Sequence, residues 1–266
     1  MKNKKVIYIV IISIILALIT FAVIYIVNSK EVIDGGFEEN LTKNSFIGYI
    51  TQINSGIATV KVSDGYILAS GDLVNVDLLG NHFEKGTKIK VIYDGNIMET
   101  YPLKIKVVSI EKVEYSNVVK LYTTLIDDLM AEDQALNYNM QYIAIDINSF
   151  MPFNNTNVEE DKDMYPKMLE EDKQDIVNYL YRYHDNIKVA SYKDLQEQGL
   201  VIDNELTIPH IDGILINIGK IEKKSDNHYL ISMCKYKSAL GAIFPEYEAK
   251  YINDNWNFEI KSMAIS

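Results

Sequence analysis

The residues able to do chemistry in this 266-residue chain are few, and their spacing does not suit it. The four histidines, His82, His184, His210 and His228, show no H-x-x-x-H or H-E-x-x-H spacing and no cysteine partner, so the sequence builds no zinc site. Cys234, the sole cysteine, falls inside an alternating, strand-like run, whereas activated thiolates sit at helix N-termini or beside a cation. Lys235 would point to the other face of such a strand, so the thiol reads as inert and packed. There is no G-x-S-x-G elbow, and Gly86-Thr87-Lys88 has the wrong order to cradle a phosphate. Glu159, Glu160, Asp161 and Asp163 crowd oxygen ligands together but lack the mid-loop glycine of a calcium loop, and read as a solvated loop. Asp146, near the end of a buried-looking strand, is the one carboxylate that stands out, and aspartates at strand ends are usually turn formers. The expectation is no catalytic residue, no cofactor and no metal.

Two sets of residues remain as candidates for binding. Tyr122, Met233, Tyr236, Tyr247 and Trp256 would line a cavity between sheet and helices in the C-terminal half, suited to a small apolar ligand or a hydrolytic pocket. Core packing accounts for the same residues. Lys88, Lys90, Lys104, Lys106 and Lys112 alternate with apolar neighbours such as Ile89, Val91 and Leu103. They would share the solvent side of two strands and offer a basic surface to anionic wall polymer or lipid headgroups. The plainer reading is a solvated face that discourages edge pairing.

Charge and composition narrow the partners. The net charge is −11, and four lysines with no acid in the first 30 residues leave −15 on the rest. A segment that acidic does not bind nucleic acid by neutralising phosphates. One cysteine means no internal disulfide, so the fold must be stable by packing alone. Arg182 is the only arginine against 25 lysines. That bias suggests an A/T-rich genome, and a bacterium with a single membrane is the expected source.

What positions all of this begins at Val6–Val27, twenty-two residues without a charge. As a helix this run spans about 33 Å, enough to cross a hydrocarbon core of about 30 Å. Lys2, Lys4 and Lys5 precede it, and Glu31, Asp34, Glu38 and Glu39 follow it. The lysine bias predicts residues 1–5 in the cytoplasm and the remainder outside, with Tyr8 and Tyr25 at the two headgroup levels. The run is longer than a signal-peptide core and ends in YIVNSKEV without an A-x-A site, which favours an uncleaved single-pass anchor over a cleaved signal. Residues 28–44, with Gly35-Gly36 and several acids, read as a tether.

From residue 45 to 113 the hydrophobic pattern has period two, broken by Asn54-Ser55-Gly56, Asp64-Gly65, Gly71-Asp72, Gly80-Asn81 and Asp94-Gly95. Asp94-Gly95 predicts a type I′ hairpin, and the phase slip between Val107 and Val108 predicts a β-bulge. A small OB-like β-barrel fits. The run from Phe83 to Pro102, with its glycine, alternating lysine/valine strand, Tyr93-Asp94-Gly95 turn and Glu99-Thr100-Tyr101-Pro102, resembles the YobA-like family of small secreted bacterial proteins. The resemblance covers about residues 45–113; it implies an extracytoplasmic OB-like barrel and brings no catalytic residues.

Residues 115–266 read as an α+β domain. Val118, Leu121, Tyr122, Leu125, Ile126 and Leu129 have helical spacing behind a Ser116 cap, and a second helix begins at Pro166. Four alternating runs after Pro209 predict an antiparallel meander packed on those helices, as in NTF2-like or cystatin-like folds. The ending Trp256–Met263 resembles the terminal strand of small secreted NTF2-like proteins. The function expected is a non-enzymatic binding module at the bacterial surface, contacting wall polymer or another exterior protein.

Overall fold

The computed structural model describes residues 43–147, 168–208 and 211–266. The anchor at Val6–Val27, the acidic stretch Glu159–Asp163, Pro166 and His210 lie outside them. Among the described residues no helix is long and apolar enough to cross a membrane.

Strands β1 (Ser45–Asn54), β2 (Ile57–Gly65), β3 (Leu73–Asp77), β4 (Lys88–Met98) and β5 (Leu103–Lys112) close into a barrel in the order β1-β2-β3-β5-β4. All neighbours are antiparallel except β3 and β5, which run parallel. Alternation fills the interior: Phe46, Ile50, Val60, Val74, Val76, Ile89 and Val91 form one buried cluster. Tyr93 pairs with Val107 and Ile92 with Ser109, so Val108 is the extra residue of the bulge expected there. The Asp94-Gly95 hairpin does not form. Strand β4 runs through it to Met98, leaving Asp94–Asn96 bulged between Tyr93 and Ile97, and the chain reverses at residues 99–102. The positive φ of Gly95, 94°, serves the bulge; the same dipeptide chemistry fits either irregularity.

The second domain starts with α1 (Asn117–Ala131), whose N-cap Ser116 accepts from the Val119 amide at 3.2 Å. Strand β6 (Met140–Ile145), helix α2 (Glu170–Tyr179), strand β7 (Ile187–Val189), helix α3 (Tyr192–Glu197) and the short β8 (Thr207–Ile208) follow. Strands β9 (Ile211–Ser225), β10 (His228–Ser238), β11 (Gly241–Ile252) and β12 (Asn255–Ile265) form the antiparallel meander. The sheet is nevertheless mixed, in the order β12-β11-β10-β9-β6-β7, because β6 pairs in parallel with both β9 and β7. The purely antiparallel sheet expected from the meander is corrected accordingly: the helical connection through α2 returns the chain parallel to β6.

Helices α1 and α2 cover one face of the sheet, burying Leu121, Tyr122, Leu125, Ile176, Leu180, Ile216, Met233 and Tyr247 together. Helix α3 packs Leu195 on the other face against Tyr142, Ala144 and Leu215. Gly213 is required there, since a Cβ would fall 2.0 Å from the Tyr142 ring.

Candidate functional site

The two domains meet at α2, which carries one stripe toward α1 and another toward the barrel. The Ile176 and Leu180 stripe enters the core, while Asp172 and Asp175, one turn apart, are both buried, Asp175 against the barrel and Asp172 against the cap of α1. Lys88 Nζ reaches across from β4 to within 3.0 Å of both Asp175 oxygens and 3.1 Å of Glu171, and the Tyr49 hydroxyl donates to Asp175 as well. Burial pushes the Asp175 carboxyl up, and the bonds from Tyr49 and Lys88 work against that rise. Burial opposes the Lys88 ammonium too, yet Asp175 and Glu171 hold it above its ordinary value. The two donor groups on the carboxylate favour its ionised form against that burial. Around it, Ser116 Oγ donates to Asp172 at 2.6 Å, Arg182 pairs with Glu84 at 2.6 Å, and Lys85 with Asp185 at 2.6 Å. The Lys88, Arg182 and Lys85 contacts join the barrel to the second domain.

Lys88 therefore is not part of a basic surface. Strand alternation does place it outside the barrel, but α2 covers the outside there. The other four lysines do not converge either. Lys90 is half-buried and pairs across the strands with Glu111; Lys112 lies 3.6 Å from Glu114. Lys104 and Lys106 are exposed at the opposite end of β5, about 20–26 Å from Lys112 along the strand.

The expected cavity between sheet and helices is filled. Tyr122, Met233 and Tyr247 are each no more than 2 % exposed, and the Tyr247 hydroxyl donates to Asp128 at 2.9 Å. Trp256 packs on Tyr229 and Tyr251 and donates its Nε1–H to the Asn117 carbonyl at 2.7 Å. Tyr236 is on the other face, edge-on to Tyr192 at 5.7 Å, because three residues along a regular strand reverse the side from Met233. Met233 and Tyr236 both border one groove on the outer sheet face, but the five residues do not line one pocket.

Two open concavities stand out among the described residues. One, of about 480 Å³, is lined by Asp127, Met130, Ala131, Gln134, Asn137, Tyr138 and Tyr183. Asp127 accepts from the Tyr179 hydroxyl at 2.9 and 2.7 Å and also from Tyr183. Burial and the Asp127 carboxylate raise both phenols, so neither is a nucleophile at neutral pH. The other, of about 530 Å³, is a groove on the outer sheet face, where Tyr192, Ser232, Cys234, Tyr236, Phe244 and Glu246 are among the lining residues. Burial pushes the Cys234 thiol up to about 12, the reverse of activation. No family model matches the chain, and no curated protein or solved structure does either.

Further along the same outer face, Glu248 is ringed by Lys261 at 2.7 Å, His228 at 2.6 Å and Lys250 at 3.3 Å. The Lys261 and His228 bonds lower its carboxyl to about 2. Among the described residues no three His, Cys, Asp or Glu side chains gather as a metal site, and His184 and His228 are far apart in the chain and bonded to different partners. Asp127, Tyr179 and Tyr183 carry no motif of their own; the four-residue spacing of the two tyrosines is the one signal that they share a helix side.

Proposed function

We propose that the protein is a membrane-anchored, extracytoplasmic binding module without catalytic activity, held by Val6–Val27 with its N-terminus in the cytoplasm. In this reading the barrel is OB-like, as its strand order and the resemblance of residues 83–102 to the YobA-like pattern support. The observation that carries the non-enzymatic reading is the filled core: Tyr122, Met233 and Tyr247 occupy the space a cone-type pocket would need. Neither open concavity brings together an acid, a base and an activated nucleophile. The surface offered to a wall polymer or exterior protein is the outer sheet face, with Phe244 and Tyr236 beside the charged ring around Glu248.

The test has two parts. A membrane-impermeant thiol reagent applied to intact cells should label Asn54→Cys in a Cys234→Ser background, and the mature chain should begin at Met1 or its immediate neighbour. A start near Lys30, or labelling only after lysis, overturns the anchored reading. Photo-crosslinking from position 244 in intact cells should give a discrete adduct that is absent from position 240. Turnover of a small ester or glycoside by the purified chain, lost on Asp127→Asn, would instead establish a hydrolytic pocket.

A further inference from the structure

The two ends of the barrel differ. The end carrying the β3–β4 loop is covered by the second domain: Gly86 abuts the C-terminus of α2, and Lys85 and Gln52 reach Asp185. At the other end the start of β1 lies beside the end of β2 and the middle of β4, since Phe46 pairs with Gly65, Ser45 with Ile92, and the Tyr93 amide donates to the Asn44 carbonyl; β4 and β5 continue past it to their own loop. The β2–β3 and β4–β5 loops project from that same end. They expose Tyr66 (73 %), Ile67 (52 %), Met98 (58 %) and Tyr101 (86 %).

The geometry points to this barrel end as a platform that rests on the lipid surface, an inference that rests on the anchored reading above. The hydrophobic run ends at Val27, and fifteen residues separate it from Lys43, where the described chain enters this end. Fifteen residues at the random-coil scale correspond to about 20 Å, a length that in this reading favours this end, and not the one under α2, against the bilayer. Tyrosines with exposed rings and polar tips, together with one isoleucine and one methionine, suit the headgroup level. Lys43, Lys104 and Lys106 at this end are outnumbered by Asp64, Asp72, Asp94 and Glu99, so the contact is apolar and aromatic and needs no anionic lipid. The second domain is thereby carried on the far side of the barrel, with its outer sheet face clear of the membrane.

The experiment uses the full chain reconstituted in phosphatidylcholine vesicles in which a fraction of the lipid carries a headgroup nitroxide. A fluorophore is attached at Met98→Cys or, as the control, at Ile57→Cys, both with Cys234→Ser. Ile57 begins β2, about 26 Å along that strand from the platform. The expected result is loss of fluorescence at 98 and none at 57, unchanged in 1 M salt and reversed when Tyr66→Asp and Tyr101→Asp are added. A chain that resists carbonate extraction yet shows no loss at 98, equal loss at both positions, or loss abolished by salt overturns the platform alone. A chain released by carbonate overturns the anchored reading and the platform with it.

Discussion

Lys88 Nζ sits 3.0 Å from each oxygen of Asp175, and the two residues belong to different domains. One is the first residue of a barrel strand and the other the middle of a helix, and both are buried. Lys88→Met leaves Asp175 buried with Tyr49 as its remaining strong donor, an uncompensated charge that costs about 3–5 kcal/mol. The double variant Lys88→Met with Asp175→Leu should recover most of that loss, because neither charge then needs solvating. Urea unfolding of the four proteins in the cycle measures the coupling; additive losses would mean that the pair does not hold the domains together.

How much of this was legible beforehand follows from the same two residues. Period-two alternation correctly put Lys88 outside the barrel and Ile89 inside, as it did for the bulge at Val108. Alternation is a property of one strand, however, and says nothing about what covers its outer face. Asp172 and Asp175 are buried by partners 56 and 87 residues away in sequence, Ser116 and Lys88. The candidate pocket failed differently. Met233 and Tyr236 are three residues apart in a strand, so parity alone would have separated them, while the filling of the core by Tyr122 and Tyr247 depends on packing that no local pattern encodes. The parallel pairing of β6 was hidden for a related reason: a short apolar run does not declare its neighbours.

Gly86 makes another close contact between the domains. A Cβ there would fall 2.5 Å from the Tyr179 carbonyl oxygen and 3.1 Å from the Arg182 amide, at a φ of +79°. Gly71 has a φ of +96° but no neighbour within 4 Å. Alanine at 71 should therefore cost only the left-handed backbone strain, about 1–3 kcal/mol. Gly86→Ala should cost that and more, and should also increase protease cleavage between residues 112 and 117. Equal losses of stability at the two glycines would remove the case for close packing at Tyr179.

Cys234 lines the outer groove yet is held in its neutral form. With burial pushing the thiol up to about 12 from an ordinary value of 9, the thiolate is scarce at pH 8. Reaction with iodoacetamide should be about a thousandfold slower than for an exposed cysteine introduced at Asn54, and should speed up on adding denaturant. A rate equal to that of the exposed thiol would mean that the groove activates it, and would revive a nucleophilic reading of this face.

Lys235 gives the fold an alkaline signature. Its ammonium is fully buried at the C-terminal end of α1, donating to the carbonyls of Glu132 and Asp133 (the latter at 3.2 Å) and to Asn137 Oδ1 at 3.3 Å. These partners satisfy three donors and complement the helix dipole. Burial nonetheless outweighs the attraction of Asp133 and Glu132 and lowers the group from 10.5 to about 8. Between those two values the unfolded chain holds the proton and the folded one does not, so stability rises with pH across that window. Relative to Lys235→Met, the wild type should gain on the order of 2 kcal/mol between pH 8 and 10, read from urea midpoints. Above about pH 10 the buried tyrosines act with the opposite sign: Tyr49 and Tyr247 lie above their ordinary value in the folded state, so the unfolded chain loses those protons first and stability falls. A wild-type curve parallel to that of Lys235→Met from pH 7 to 10 would show that the carbonyls at the end of α1 fully compensate the buried charge.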